Sequence, residues 1–257
     1  METFKAYFNK EVLESKRQFR YLIIFLAFIF LALENPIIIK LMPKLLESSG
    51  IKDASQISGL VPTDKLQIMG GLILKDLVQI GILVVAFTFC NILSDELNSQ
   101  KFVFPFSKGA KPSYIVLAKS LHYSLTIITA VAVAIFVNYY YVGIIFTGGK
   151  APAIPNVFFS ILLVSLFFIF TFVLTMFFSL IFKRGIAAGI ITALIQYLSA
   201  LPSQIKAIQN FVPYNLLKTA SEFKVSNVAT LVITTLVYIT ILLFVSIAIL
   251  NKKDLMQ

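Results

Sequence analysis

The sequence is poor in the residues on which metal sites and disulfide-bonded folds depend. It contains one cysteine, one histidine and no tryptophan among 257 residues. With a single cysteine no disulfide can form within the chain, and a zinc cage of cysteine and histidine ligands cannot be assembled. We therefore interpret Cys90 as a small core residue. His122 is interpreted as a packed or interfacial side chain, with a proton-linked role as the alternative.

Charged residues and catalytic motifs are also scarce. Charged side chains make up 13% of the chain, about half of the roughly 25% found in soluble domains. The sequence has no phosphate-binding loop of the form G-x-x-x-x-G-K-[ST], no H-E-x-x-H and no G-x-S-x-G. The chain is therefore not expected to bind ATP or to be an enzyme by itself, and we predict no catalytic, cofactor-binding or metal-binding residues.

Apolar residues, by contrast, are abundant. They form 58% of the chain, which includes 25 phenylalanines, and the mean hydropathy is +0.90. A helix needs about 20 mostly apolar residues to cross a bilayer. Backbone groups inside a bilayer must be hydrogen-bonded within helices, and the alternation of a barrel is absent. We expect an all-α polytopic membrane protein, a single transmembrane domain with six helices at residues 21–41, 66–93, 119–146, 157–182, 185–201 and 228–250.

Basic residues set the expected orientation. The net charge is +10, and the segment before the first span is rich in lysine and arginine, which predicts cytoplasmic termini in the cell membrane. Anionic lipid accounts for this charge, so no nucleic acid is expected as a partner. Residues 1–20 form a predicted amphipathic helix in the cytoplasmic interface. Residues 94–118 form a cytoplasmic loop, and residues 42–65 and 202–227 form outer loops.

Two groups of polar residues interrupt the spans. Glu34, Asn35 and Pro36 lie near the outer end of span 1, where proline kinks or ends a helix. Ionisable residues inside spans are rare and mark pathways, so these three are candidates for a pathway or gate. A helix cap or a contact with the outer interface is the alternative. Lys75 and Asp76 have the same two interpretations.

Small residues and hydroxyls share faces on two later spans. Gly185, Gly189 and Ala193 form a face on span 5 that would let helices approach closely. We interpret it as a candidate packing face for a second copy, with packing inside one chain as the alternative. A hydroxyl face on span 4 would link neighbouring helices through Thr171, Thr175 and Ser179.

The loop of residues 94–118 is much longer than a chain reversal requires. Its mixture of lysines and phenylalanines is typical of a partly apolar interface with a charged rim, which predicts a surface for a partner. The alternative is an amphipathic segment that lies on lipid. The candidate contact residues are Asp95, Glu96, Lys101, Phe102, Phe104, Phe106, Lys108 and Lys119.

Several of these residues fall in the order found in one family of transporters. Phe8-Asn9-Lys10-Glu11 precedes span 1, Glu96 follows span 2, an apolar stretch occupies residues 102–106, and Lys119 opens span 3. In this order the chain resembles the permease subunits of ABC-2 type transporters, with their six-helix, type V exporter-like architecture. Residues 210–217 are similar to the aromatic-Pro-Tyr element that this family has before span 6. The chain departs from the family at Gln100-Lys101, where Gly-Thr is usual, and at Gly109, where proline is usual.

The resemblance implies a function that the composition alone does not. Two permease copies, identical or paralogous, would form the pathway of an ATP-driven exporter. A separate ATP-binding subunit, which carries ATP and Mg, would dock on the loop of residues 94–118. The alternatives are a secondary transporter or channel-like protein that works without ATP, and an intramembrane enzyme or immunity-type protein. The residues of the spans favour amphipathic or lipid-like cargo.

Overall fold

The computed structural model describes residues 2–48, 62–205, 207–225 and 228–252. Most of the predicted outer loop of residues 42–65 lies outside these ranges, as do residues 226 and 227 at the end of the second outer loop. The described chain is mainly helical and contains no strand apart from a single bridge between Asp64 and Gly148.

The helices of the described chain differ widely in length. Two single turns of 3-10 helix, Pro202–Gln204 and Gln209–Phe211, precede the last two helices. The elements are α1 Glu2–Arg17, α2 Arg20–Ser48, α3 Lys65–Gly71, a π-helix Leu72–Gly81, α4 Ile82–Phe89, α5 Ser94–Asn98, α6 Val103–Ser107, α7 Pro112–Ile145, α8 Ile154–Ile181, α9 Gly185–Leu198, α10 Asn215–Ser221 and α11 Ala229–Lys252.

Six helical segments in the described chain are long and apolar enough to cross a membrane, which confirms the prediction of an all-α, multi-pass protein. Six crossings place α1 and the end of α11 on the same face, called here the α1 side, and the opposite face is called the far side. The segments are Arg20–Leu45, Lys65–Asn98, Pro112–Ile145, Ile154–Ile181, Gly185–Gln204 and Ala229–Lys252.

The fourth span, α8, lies at the centre of the bundle. Its most apolar window is 72% buried, whereas that of α11 is 11% buried. Helix α8 packs against α4, α7, α9, α10 and α11. Helix α11 leaves large apolar side chains exposed, among them Ile241 and Phe244. An apolar surface of this kind suits contact with lipid.

The hydroxyl face of α8 links three spans. Ser179 Oγ accepts hydrogen bonds from the backbone N–H groups of Leu93 and Ser94, each at 3.0 Å. These donors lie at the start of α5, where a helix leaves N–H groups without partners. Thr171 Oγ1 accepts a hydrogen bond of 2.7 Å from Gln196 Nε2 on α9, so α8 is attached to the second and the fifth span.

Pro36 does not end the first span, because α2 runs without a break from Arg20 to Ser48. Proline has no N–H for the carbonyl four residues earlier, which is that of Ala32. Asn138 on α7 replaces the missing donor, with Nδ2 at 2.9 Å from the Ala32 oxygen. A neighbouring helix that satisfies a freed carbonyl lets proline stay inside a membrane helix.

The small-residue face of α9 is filled by the same chain. A Cβ atom at Gly185 would overlap the side chain of Asn91, and one at Gly189 would lie 3.2 Å from Cys90 Cβ. Ala193 is buried as well. In this structure the face that we expected to meet a second copy therefore packs on the end of span 2, which is the internal packing named as the alternative.

Candidate functional site

Helix α1 turns a polar side towards the bundle. Glu11 and Ser15 lie one turn apart and are 0% exposed, whereas Leu13 on the same helix is 59% exposed. The helix packs mainly on α7. An amphipathic helix that contacted the protein only through its apolar side would show the reverse pattern. The residues of α1 that are fully buried in the described chain are thus polar.

Lys119 is the centre of a buried ion-pair cluster. Its side chain is 1% exposed, and its Nζ lies 2.6 Å from Glu11 Oε1 and 3.1 Å from Glu96 Oε2. Glu11 belongs to α1, Glu96 to α5 and Lys119 to α7. A single ammonium group therefore connects the amphipathic helix, the end of span 2 and the start of span 3.

Lys10 supplies the second ammonium group of this cluster. It forms a short hydrogen bond with Glu96, and its Nζ lies 3.5 Å from Glu11 Oε1 and 3.4 Å from Glu14 Oε2. Burial alone would lower the pKa of Lys10, but the charges of Glu96, Glu11 and Glu14 outweigh burial and raise it. Lys10 therefore remains charged at neutral pH.

The hydroxyl of Tyr123 extends the cluster to α2. It donates a hydrogen bond of 3.0 Å to Glu11 Oε2 and accepts bonds from Arg20 Nη1 at 2.5 Å and Ser15 Oγ at 3.2 Å. One donated and two accepted bonds use the full capacity of a hydroxyl group. Because Arg20 begins α2, this hydroxyl also fixes the junction between α1 and span 1.

His122 packs beside the cluster and lines a cavity of about 360 Å³ between α1, α2 and α7. Its Nε2 lies 3.1 Å from Ser15 Oγ and 3.0 Å from Tyr21 Oη, and its ring meets that of Phe8 edge to face. A serine next to a histidine is the arrangement of an activated nucleophile. Ser15, however, is fully buried and already donates to Tyr123, so no substrate can reach its hydroxyl in this conformation.

Three carboxylates of the cluster lie close enough together to raise the question of a metal ion. Oxygens of Glu11, Glu14 and Glu96 all lie within 4.8 Å of one another. Lys10 contacts all three carboxylates, and Lys119 contacts two of them. Because two ammonium groups already lie among the three carboxylates and offset most of their charge, the residues do not fit a divalent cation.

The structure divides the predicted contact residues of the long loop into two groups. Glu96, Phe102 and Lys119 are buried, and the ring of Phe106 stacks on that of Phe102 at 5.8 Å. The exposed group comprises Asp95, Lys101, Phe104 and Lys108. The buried residues can act on a partner only through the fold, whereas the exposed ones are free to touch it.

One member of the exposed group, Lys101, lines a groove on the α1 side. Phe104 is 66% exposed, and Lys108 Nζ lies 4.4 Å above its ring, a cation–π contact. The groove has a volume of about 330 Å³ and runs between α1 and the α5–α6 segment. It is lined by Ala6, Tyr7, Lys10, Lys101, Phe102 and Pro105.

The sequence-based reasoning missed the α1 half of the cluster. It singled out Glu96 and Lys119 but gave no role to Glu11, Ser15, Arg20 or Tyr123. A signal was present in the spacing, because Glu11 and Ser15 lie four residues apart, as do Lys119 and Tyr123. Residues at this spacing share one face of a helix, and two complementary polar faces on helices next to a membrane predict a contact.

A second polar contact lies towards the far side, where α2 meets the π-helix. Asn35 Nδ2 donates a hydrogen bond of 2.8 Å to Asp76 Oδ2. The structure thus brings together two groups of polar residues that the sequence marked separately, one around Glu34 and Pro36 and one around Lys75. Asn35 is buried, and Asp76 is half-buried.

No protein-family model matches the sequence, and no curated protein matches it either.

Proposed function

We propose that the chain is the permease subunit of an ATP-driven ABC-2 type exporter in the cell membrane. In this proposal two copies, identical or paralogous, form the pathway, and both ends of each chain are cytoplasmic. The chain is not an enzyme by itself, since ATP and Mg are held by a separate ATP-binding subunit. The observation that carries the proposal is the buried cluster through which Lys119 joins α1, α5 and α7.

The cluster suits the transmission of force into the membrane. A partner without a membrane part can act on the spans only by pushing on segments outside them. Lys119 fastens α1 and α5 to the third span, and Ser179 fastens the start of α5 to the fourth. Because a buried ion pair is costly to separate, a push on α5 or α6 moves the ends of spans 2, 3 and 4 together.

The exposed residues next to the cluster supply the expected contact surface. Phe104 offers an apolar anchor, and Lys101 and Lys108 give it a positive rim. Exposed aromatic residues that enter a pocket of the partner dominate many protein interfaces. The ATP-binding subunit is expected to present an apolar pocket with acidic residues at its edge.

The test is copurification from the native membrane with two matched variants. Phe104→Glu places a charge in the proposed contact, and Phe211→Glu places the same charge on an exposed phenylalanine in the second outer segment. After mild crosslinking, the wild type and Phe211→Glu are expected to retain a protein with a phosphate-binding loop, identified by mass spectrometry, together with ATP hydrolysis. Phe104→Glu is expected to lose both.

Two outcomes would contradict this proposal. In the first, the wild type retains no ATP-binding protein, which contradicts the assignment as the permease subunit of an ATP-driven exporter. In the second, Phe104→Glu retains the ATP-binding protein as well as Phe211→Glu does, which shows that the subunit does not bind at the surface around Phe104. The purified chain alone is expected to hydrolyse no ATP.

A specific observation supports the alternative of a secondary transporter that works without ATP. Such proteins carry ionisable residues inside the membrane, often where helices deviate from regular geometry, and the Asn35–Asp76 contact has this character. The purified chain in proteoliposomes distinguishes the two functions. Transport by the chain alone, driven by an ion gradient, favours the alternative, and an absolute need for an ATP-binding subunit favours the exporter.

A further inference from the structure

Asp76 is an acidic residue within a membrane-spanning segment that lacks a counter-ion. Asp76 Oδ2 accepts a hydrogen bond of 2.8 Å from Asn35 Nδ2, and none of the ion pairs within 4.0 Å among the described residues includes Asp76. The charges that act on it are those of Glu34 on α2, which is negative, and of the exposed Lys75 on its own helix. Uncompensated carboxylates are costly inside a membrane and mark functional sites.

Asn35 adds an unused oxygen to this carboxylate. The residue is 8% exposed, and its Oδ1 is buried without a hydrogen-bond partner in the part of the chain that the structure describes. The orientation of the amide follows from its contact, because the opposite orientation would place two acceptor oxygens against each other. A buried acceptor without a donor is unfavourable, so a hydrogen-bond donor or a cation next to this oxygen would stabilise the fold.

Both helices depart from the regular hydrogen-bond pattern of an α-helix at this level of the membrane. Asp76 lies within the π-helix Leu72–Gly81, a rare conformation that often occurs at functional sites. On α2, Pro36 follows Asn35 directly and leaves the Ala32 carbonyl to be satisfied by Asn138. Asn138 Oδ1 is likewise buried without a partner among the described residues. Around this contact, the amide oxygens of Asn35 on α2 and of Asn138 on the neighbouring α7 are therefore both buried without a donor in the described chain.

We propose that the Asp76 carboxylate and the Asn35 side-chain oxygen form a binding site for a small monovalent cation, a proton or an alkali ion. Both ligands are hard oxygens of the kind that such cations take. A bound cation neutralises Asp76 and gives the Asn35 oxygen the positive partner that it lacks. This site is independent of the proposed exporter function, since it is formed within one chain and needs no ATP-binding subunit.

The test measures the thermal unfolding midpoint of the full chain in lipid nanodiscs in two arms. One arm replaces N-methyl-D-glucamine chloride by sodium or potassium chloride at fixed pH and ionic strength, and the other varies the pH at fixed salt. At about five times the dissociation constant, an alkali ion is expected to raise the midpoint by ~2–4 °C. A response in the pH arm alone identifies the cation as a proton.

Three variants assign the response to this site. Asp76→Asn is expected to abolish it, and Asn35→Leu, which removes the unused oxygen but keeps the carboxylate, is expected to weaken the affinity at least about tenfold. Glu222→Gln, a change at an exposed acid directly after α10, is expected to retain the response. A response that persists in Asp76→Asn overturns the proposal, as does a wild type that responds in neither arm.

A binding measurement keeps the proposal testable if the variants fail to fold. Labelled sodium is expected to bind wild-type protein with one site per chain and to be displaced by acid if the cation is an alkali ion. Wild-type protein that binds no labelled sodium and shows no pH response overturns the proposal. Neither result depends on whether an ATP-binding protein copurifies with the chain.

Discussion

The two polar contacts of this membrane protein meet the cost of buried charge in opposite ways. On the α1 side, Glu11 and Glu96 share the ammonium of Lys119 at 2.6 and 3.1 Å. Towards the far side, Asp76 has a neutral amide at 2.8 Å and a neighbouring oxygen with no partner. A cluster that supplies its own counter-ions holds segments together, whereas one that lacks them is suited to take a charge from outside.

The largest expected effect comes from removing the shared ammonium group. Lys119→Met leaves Glu11 and Glu96 buried without their main counter-charge, and breaking a buried ion pair from one side costs about 3–5 kcal/mol. The free energy of unfolding in detergent is expected to fall by this amount.

The control for this change is a lysine directly before the same helix, α7. Lys111→Met alters an exposed lysine and is expected to change the unfolding free energy by no more than about 0.5 kcal/mol. Adding Glu11→Gln and Glu96→Gln to Lys119→Met removes the uncompensated charges and is expected to recover part of the loss. Equal effects of Lys119→Met and Lys111→Met would show that the cluster does not hold the segments together.

A smaller effect is expected where the structure supplies a donor to a single carbonyl. Asn138→Leu leaves the Ala32 oxygen without a partner, which costs about 1–2 kcal/mol. In a Pro36→Ala background the backbone N–H at position 36 can bond that oxygen, so the same change should cost less. A double-mutant cycle of unfolding free energies measures the coupling, and strict additivity would contradict the assignment.

The smallest effect concerns the outer part of the α1-side cluster. The pKa of Lys10 is raised above its ordinary value of 10.5 in the folded chain, so its contribution is complete below that pH. It is lost as the pH rises through the higher folded value. Since its side chain is 39% exposed, the contribution should be no more than about 1 kcal/mol.

The comparison of wild type with Lys10→Met over pH measures this contribution. The difference in unfolding free energy is expected to stay constant between about pH 7 and 9 and to shrink above 10.5. A difference that grows with rising pH would mean that Lys10 is destabilised in the fold. Such a result would show that the ion pairs of Lys10 do not stabilise the folded chain.

The six spanning segments were readable from the sequence, because apolar length alone determines them. The effect of Pro36 could be predicted from the sequence only in part. The missing donor follows from the chemistry of proline, but the replacement comes from Asn138, which lies 106 residues away from Ala32 in sequence. A local pattern carries no information about such a partner, so the sequence predicted an interrupted helix where the structure has a continuous one.

The candidate site shows the same limit. The spacing of the loop marked Glu96 and Lys119 as important, but it could not show that they pair with each other and with Glu11. The small residues Gly185 and Gly189 predicted a close helix contact without naming the helix, and the structure supplies the end of span 2. In each case composition predicts the kind of contact, and tertiary packing selects the partner.

The link between Glu11 and Lys119 has a consequence for the order of events at the ribosome. The two residues are 108 positions apart, and chains grow at about 5–20 residues per second, so Glu11 is synthesised roughly 5–20 s before its partner. During that interval α1 has no buried position to occupy, and its charged side stays in water at the membrane surface. The N-terminal helix therefore docks only after the third span has been inserted.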